Sequence, residues 1–195
     1  MSQLPAEVIF DELKHQYTLG GVIVPSVTQI IKSAGLYDFS MIPADVLEWK
    51  RNLGTQVHAA TELDDMDNLG DYDPQISGYI EAWRKFKIDT GFRPVHIEQR
   101  VFHKIHKYAG TLDRIGVFGE RNALVDIKTG QADLMTVGPQ TAAYAQAWGF
   151  KGKRYAVHLM DGGYKVIECK NKLDFQIFLD CLNLYNWRMS KHERG

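Results

Sequence analysis

The N-terminal part of the chain alternates apolar and polar residues over positions 7 to 25, on both sides of the pair Gly20 and Gly21. Alternation with a period of two is typical of half-buried strands, and a Gly-Gly pair is typical of a tight hairpin turn. The sequence therefore predicts an N-terminal β-hairpin.

Three segments that follow have apolar residues at helical spacing. The first, "SVTQIIKSAG", begins with a Ser or Thr cap and ends at Gly35; the second covers about residues 43 to 64, with Pro43 near its start; the third ends at Gly91. Caps, an early proline and terminal glycines are the usual boundary signals of helices. We predict three helices, with an acidic connector, "DDMDNLGDYDP", before the third.

The second half of the chain favours strands around one central helix. The runs "VHIEQRVFH", "YAGTLDRIGVF" and "ALVDIKT" are separated by short turns and predict a meander. The alanine-rich run "GPQTAAYAQAWGF" predicts a helix ending at Gly149, and the strand-like "RYAVHLM" after it completes a strand–helix–strand crossover. A turn, "YKVIECK" and the amphipathic "LDFQIFLDCLNLYNWRMSK" follow. We predict one α/β (α+β) domain over residues 1–195, with a central mixed β-sheet flanked by helices.

Length and composition indicate a single globular domain without a membrane span. A chain of 195 residues and 22.2 kDa can bury one core, and no window approaches the roughly 20 apolar residues of a membrane span. The first ten residues have neither a basic start nor an apolar segment, so we expect no secretory signal and a cytoplasmic location. Two cysteines, Cys169 and Cys181, are too few for a zinc or iron–sulfur cage and are expected to remain thiols.

The formal net charge of −1 argues against a strongly basic nucleic-acid binder. Local basic stretches occur at residues 83 to 87, 100 to 107 and 151 to 154. Such stretches are most often solvated faces.

The run "ALVDIKT" carries charged residues where a strand favours apolar ones. Side chains alternate across a strand, so Asp126 and Lys128 share one face while Val125 and Ile127 occupy the other. A buried salt bridge between Asp126 and Lys128 is the simplest interpretation of the tripeptide by itself.

A second carboxylate comes from the preceding run. A turn centred on "GERN" pairs the two strands so that Asp113 falls on the same face as Asp126. Two neighbouring carboxylates raise each other's pKa, so they share either a proton or a cation. Carboxylate and carbonyl oxygens without sulfur ligands suit Mg²⁺ or Mn²⁺ better than zinc.

Further polar residues stand in a fixed order around this pair. Glu98 lies one strand earlier, in "HIEQR", and Gln140 and Tyr144 lie one helical turn apart in "QTAAY". Each alone fits a structural role, as a surface acid, a surface amide and a core ring. Together with "GTQVH", which contains His58, they favour a functional site.

This ordered set resembles the PD-(D/E)XK nuclease superfamily, and more narrowly its RecB-like branch, which includes phage-type exonucleases. The likeness spans roughly residues 50 to 150 and rests on "GTQVH", "GTLDR", "VDIKTG" and "QTAAY". It implies a restriction-endonuclease-like core and phosphodiester hydrolysis of DNA without base specificity, which leaves a 5′-phosphate and a 3′-hydroxyl.

The resemblance also implies roles for individual residues. It makes His58, Asp113, Asp126 and the backbone carbonyl of Ile127 the ligands of one or two Mg²⁺ or Mn²⁺ ions, and Lys128 the residue that positions water. Glu98 would help a second ion or orient a water. Contacts to the DNA backbone would come from Gln140, Tyr144, Arg114 and Thr129.

Departures from the family pattern limit the expected context. The chain lacks the four cysteines of iron–sulfur relatives and has no GxxxxGK[ST] phosphate loop, so we expect no cluster and no helicase motor. We expect a stand-alone exonuclease that acts in phage or bacterial DNA recombination and repair. Its expected partners are a phage single-strand annealing protein and further copies of the same chain in a homo-oligomer. The alternatives are a structure-specific or restriction-like endonuclease, a catalytically silent DNA-binding protein of the same fold, and a metal-dependent hydrolase with another substrate.

Overall fold

The structure, a computed structural model, describes residues 8–11, 14, 16–37, 42–130 and 133–192. Over these ranges the chain forms a five-stranded mixed sheet with helices on both faces and a three-stranded antiparallel sheet from its N-terminal part. None of the helices in these ranges combines the length and apolar character that crossing a bilayer requires. The predicted fold class is confirmed.

The N-terminal sheet contains β1 (Val8–Asp11), β2 (Gln16–Leu19) and β3 (Val22–Val24) in that order. Gly20 and Gly21 join β2 to β3 with φ angles of 57° and 83°, a left-handed conformation that glycine adopts at no steric cost. The predicted hairpin is confirmed here, and β1 adds a third strand. Residues 7, 12, 13 and 15 of the predicted hairpin lie outside the described ranges.

The three predicted helices of the first half are present. They are α1 (Val27–Ser33), α2 (Ala44–Asp65) and α3 (Ser77–Thr90), the last preceded by a 3₁₀ turn at Pro74–Ile76. Ser26 and Gln29 form a capping box at the start of α1, and Gly91 ends α3 with a φ of 66°. The boundary signals in the sequence therefore correspond to real helix ends.

The large sheet has the strand order β4-β5-β6-β7-β8. Its strands are β4 (Phe92–His103), β5 (Tyr108–Phe118), β6 (Arg121–Lys128), β7 (Lys153–Met160) and β8 (Gly163–Glu168). Only β6 and β7 are paired in parallel, and α4 (Leu134–Trp148) connects them. The meander and the crossover are both confirmed, and α5 (Asp174–His192) is the last element that the structure describes.

Helix α4 begins four residues before the predicted stretch. The Asp133 side chain caps it by accepting a hydrogen bond from the Met135 N–H at 2.9 Å, and Pro139 lies inside the helix. The proline concealed the true start, because a proline usually indicates the first turn of a helix and not its second.

Two apolar layers cover the faces of the large sheet. One packs α1, α4 and α5 on the sheet, with Ile30, Tyr144 and Phe178 among its members. The other packs α2 and α3 on the sheet around Trp83 and Phe86. The large sheet therefore lies between two helical layers, and α2 and α4, which carry predicted site residues, are in opposite layers.

We expect Trp83→Ala to lower the free energy of unfolding by about 3–5 kcal/mol, because it empties a fully buried position beside Phe86. Trp49→Ala, at a side chain that is 54% exposed, should change it by less than about 0.5 kcal/mol. Urea denaturation of both variants measures the difference, and equal losses would contradict the packing described.

Candidate metal and active site

The backbone pairing of β5 with β6 ends one residue before the two aspartates. The last pair is Arg114 with Val125, so the next residues along the two strands are Asp113 and Asp126, which lie on the same face as predicted. The turn itself consists of Gly119 and Glu120, so its centre is one residue earlier than the predicted centre. Beyond this point the Ile127 N–H donates to Asp113 Oδ2 at 2.6 Å. A side-chain carboxylate thus continues the ladder, and its position is fixed by the backbone of β6.

A β-bulge in β4 brings a third carboxylate to this place. The pairing of β4 with β5 shifts by one residue at Val95. Beyond the bulge Glu98 comes opposite Asp113, whereas the earlier register would set it opposite Leu112. Glu98 has a φ of 47°, a left-handed conformation that costs a non-glycine residue about 1–3 kcal/mol.

Helix α2 supplies the histidine. Gly54 lies close to the end of β6, since a Cβ at Gly54 would be 3.4 Å from Thr129 Oγ1. One turn later, His58 Nε2 lies 3.1 Å from the Ile127 carbonyl oxygen. A carbonyl oxygen only accepts, so Nε2 carries the hydrogen and donates. His58 Nδ1 is then turned toward the carboxylates.

Three ligand atoms converge at this point, one each from His58, Glu98 and Asp113, all within 4.8 Å of one another. His58 Nδ1 is 3.9 Å from Glu98 Oε1 and 3.8 Å from Asp113 Oδ2. Burial lowers the pKa of His58, but the charges of Asp113 and Glu98 outweigh it and raise that pKa above its usual value. The carboxylates therefore favour a positive charge here, which either a proton on Nδ1 or a metal cation supplies.

Asp126 and Lys128 form an ion pair beside this cluster, with Lys128 Nζ 2.7 Å from Asp126 Oδ2. Asp126 is 1% exposed, and burial raises its pKa to about 6 although Lys128 acts against the shift. Burial lowers the pKa of Lys128, but Asp126 and Asp113 outweigh it and raise that pKa, so the amine stays protonated at neutral pH. Both halves of the predicted pair are charged under those conditions.

Some acceptors at the site are unsatisfied. Among the described residues, Asp126 Oδ1 and Gln140 Oε1 are buried and have no hydrogen-bond donor, whereas Asp126 Oδ2 has the ammonium group of Lys128 beside it. Buried acceptors without donors are costly, and a bound cation relieves that cost. Together with the nitrogen and carboxylate donors of the cluster, these atoms fit a divalent cation that prefers oxygen and imidazole ligands.

Gln140 and Tyr144 lie on α4 and are both buried. Gln140 Nε2 donates to the Tyr144 hydroxyl at 3.2 Å. Burial raises the pKa of Tyr144, and Asp126 raises it further. A Cβ at Gly110 would lie 2.6 Å from Tyr144 Cε1, so β5 accommodates the ring only because position 110 is glycine.

The structure places Arg114 away from any surface that could meet DNA. Its side chain is fully buried and donates to Asp65 Oδ2 at 2.7 Å, to Glu98 Oε1 at 2.8 Å and to Thr61 Oγ1 at 3.2 Å. The predicted phosphate contact does not fit this position. Arg114 instead connects the C-terminal part of α2 to the carboxylate of Glu98.

The remaining predicted site residues lie either in the three-atom cluster or next to it. Glu98, which has the least defined role in the family pattern, belongs to the three-atom cluster, whereas Asp126 is held by Lys128 next to it. The Ile127 carbonyl faces His58, and Thr129 is partly exposed just beyond Lys128. Asp65 was not predicted; its only signal was that an arginine in a buried strand needs a carboxylate.

No family model matches the sequence, and no curated protein matches it. Among solved structures, the chain overlaps LHK-Exo in complex with dAMP at a TM-score of 0.41 and 13% identity, covering 88% of this chain and 95% of that one. It also overlaps LHK-Exo, an alkaline exonuclease from Laribacter hongkongensis, at a TM-score of 0.37 and 15% identity, covering 85% and 93%. Overlaps this weak do not establish a family for the chain.

We expect Arg114→Met to lower the free energy of unfolding by about 3–5 kcal/mol, because it removes one partner of a buried ion pair. Arg84→Met is the matched control: Arg84 also pairs with an aspartate, Asp64, but is half exposed, so the loss should be about 1 kcal/mol or less. Urea denaturation compares them, and similar losses would contradict a special role for Arg114.

Proposed function

We propose that the protein is a divalent-metal-dependent deoxyribonuclease that hydrolyses phosphodiester bonds of DNA. The observation that carries this proposal is the convergence of His58, Glu98 and Asp113 beside the Asp126–Lys128 pair. The same residues occupy the order of the PD-(D/E)XK pattern, so the geometry and the resemblance support one chemistry.

The residues that would hold Mg²⁺ or Mn²⁺ are His58, Glu98, Asp113 and Asp126, with the Ile127 carbonyl available beside them. A bound ion would supply Lewis-acid polarisation of the phosphoryl group and lower the pKa of the attacking water. The chain itself fixes the ligands: the β6 backbone orients Asp113, and Arg114 orients Glu98. Preorganised ligands of this kind need little rearrangement during the reaction.

Lys128 serves as a fixed positive charge and not as a base, because its pKa is raised and it stays protonated. Its ammonium group can donate to the attacking water and to a phosphate oxygen in the transition state. Asp126 holds the amine at 2.7 Å, which limits the positions it can take.

Hydrolysis from DNA ends is the mode we propose, as in the exonuclease branch that the sequence resembles. The role in phage or bacterial recombination and repair follows from that resemblance alone. A structure-specific or restriction-like endonuclease would use the same residues, and covalently closed circular DNA distinguishes the two, since an exonuclease leaves it intact.

Metal binding should raise the melting temperature of the wild type. At a metal concentration 100 times Kd, linkage gives about 2.7 kcal/mol, or roughly 5–10 °C for a chain of this size. Glu98→Gln and Asp113→Asn should lose most of this shift, because each removes a carboxylate from the cluster. Glu120→Gln, at an exposed acid in the β5–β6 turn, is the control and should keep it. A full shift in both cluster variants would contradict the assigned ligands.

Lys128→Met should lower the rate of linear DNA degradation in Mg²⁺ by about 100- to 1,000-fold, because it removes one preorganised charge from the transition state. Release of acid-soluble nucleotides from end-labelled duplex and single-stranded DNA measures the rate. Asp126→Ala should be at least as impaired. Equal degradation by wild type and Asp126→Ala would overturn the catalytic proposal.

A further inference from the structure

A large open groove adjoins the site and is not explained by the metal ligands. Its volume is about 1300 Å³, more than the roughly 300–1,000 Å³ of small-molecule sites. Thr129 and Gly130, which directly follow Lys128, are among its lining residues. Its lining also includes Trp49, Lys50 and Arg51 on α2. His58 lies seven positions beyond Arg51 on the same helix, a rise of about 10 Å. The groove therefore leads to the proposed metal site.

The groove is positively charged because four cationic side chains and two acidic ones line it. Its cationic side chains are Lys50, Arg51, Lys165 and Lys170; all four are exposed, and none forms an ion pair within the described ranges. Its two acids are engaged elsewhere: Asp133 caps α4, and Glu168 pairs with Lys153 at 3.0 Å. The free cations favour a polyanion, although the chain as a whole has a net charge of −1.

The exposed indole ring of Trp49 favours single-stranded over double-stranded DNA. Trp49 is 54% exposed and lines the groove next to Lys50 and Arg51 in the chain. Aromatic faces beside a basic track bind unpaired bases by stacking, and a duplex hides those base faces in its own stack. A basic groove with an exposed indole therefore favours a single strand over a duplex.

We propose that this groove binds a single strand of DNA, with Trp49 stacking on a base and Lys50, Arg51, Lys165 and Lys170 contacting phosphates. The strand reaches the site past Thr129, so the bond presented for hydrolysis belongs to an unpaired segment. This assignment deepens the proposed nuclease function and rests on it for the hydrolysis step only, since binding needs no catalysis.

Binding is tested by fluorescence anisotropy in EDTA, where nothing is cleaved, with a labelled 12-nucleotide oligo(dT) and a 12-base-pair duplex. The wild type should bind the single strand more tightly than the duplex. Trp49→Ala should weaken single-strand binding by about 5- to 100-fold and duplex binding far less. Equal binding of both forms, or unchanged single-strand binding by Trp49→Ala, would overturn the proposal.

Salt dependence tests the cations separately. The double variant Lys50→Gln with Arg51→Gln should reduce the slope of log affinity against log salt concentration by roughly 1.4, since each contact to a single strand contributes about 0.7. The double variant Lys104→Gln with Lys151→Gln removes the same charge from exposed positions outside the groove and should leave the slope unchanged. Equal slopes in the two double variants would place the phosphates elsewhere.

A small phosphodiester separates this proposal from the nuclease proposal. Hydrolysis of bis-p-nitrophenyl phosphate in Mn²⁺ needs the metal site. The compound itself is too short to occupy the groove. Trp49→Ala should keep this activity and lose turnover of oligo(dT); loss of both activities to the same degree would contradict the groove. If the wild type binds oligo(dT) in EDTA but hydrolyses neither substrate, the nuclease proposal fails and the groove assignment stands.

Discussion

The buried guanidinium of Arg114 is the interaction on which the site depends. It lies on the central part of the sheet and joins three elements: α2 through Asp65 and Thr61, β4 through Glu98, and its own strand β5. The same helix carries His58, so the contact that fixes the C-terminal end of α2 also sets the position of the histidine relative to the sheet. A charge with no exposure is stable here only because each of these acceptors is in place.

Elements defined by local signals could be predicted from the sequence, and those defined by distant partners could not. The Ser26 cap, Gly91 and the D-x-K strand act within a few residues, and each matched the structure. Asp113 and Asp126 could be placed on one face because a short turn joins their strands, although its centre is one residue earlier than predicted. The bulge at Val95, in contrast, has no local signature, so the pairing of Glu98 with Asp113 was not foreseen.

The role of Arg114 could not be predicted either, because its partner is distant along the chain. An arginine beside an acid in "GTLDR" suggests a phosphate contact, but its partner Asp65 is 49 positions away along the chain. The basic stretches of the sequence were expected to be solvated faces, and none of them lines the groove. In residues 83 to 87 the cations are paired within the protein, Arg84 and Lys87 with Asp64 and Lys85 with Asp89. The cations of the groove, which have no ion-pair partner among the residues that the structure describes, come from α2, β8 and the segment after β8, and no single sequence window contains them.

The left-handed backbone conformation of Glu98 has a consequence for which residues evolution can place at this position. Glycine or asparagine would occupy this conformation with less strain, so replacing the acid would relieve the backbone while removing a ligand. Relaxed selection on the chemistry would let position 98 drift toward those residues. We therefore expect the amino acid at this position in homologous chains to distinguish lineages that retain the proposed activity from lineages that keep only the scaffold.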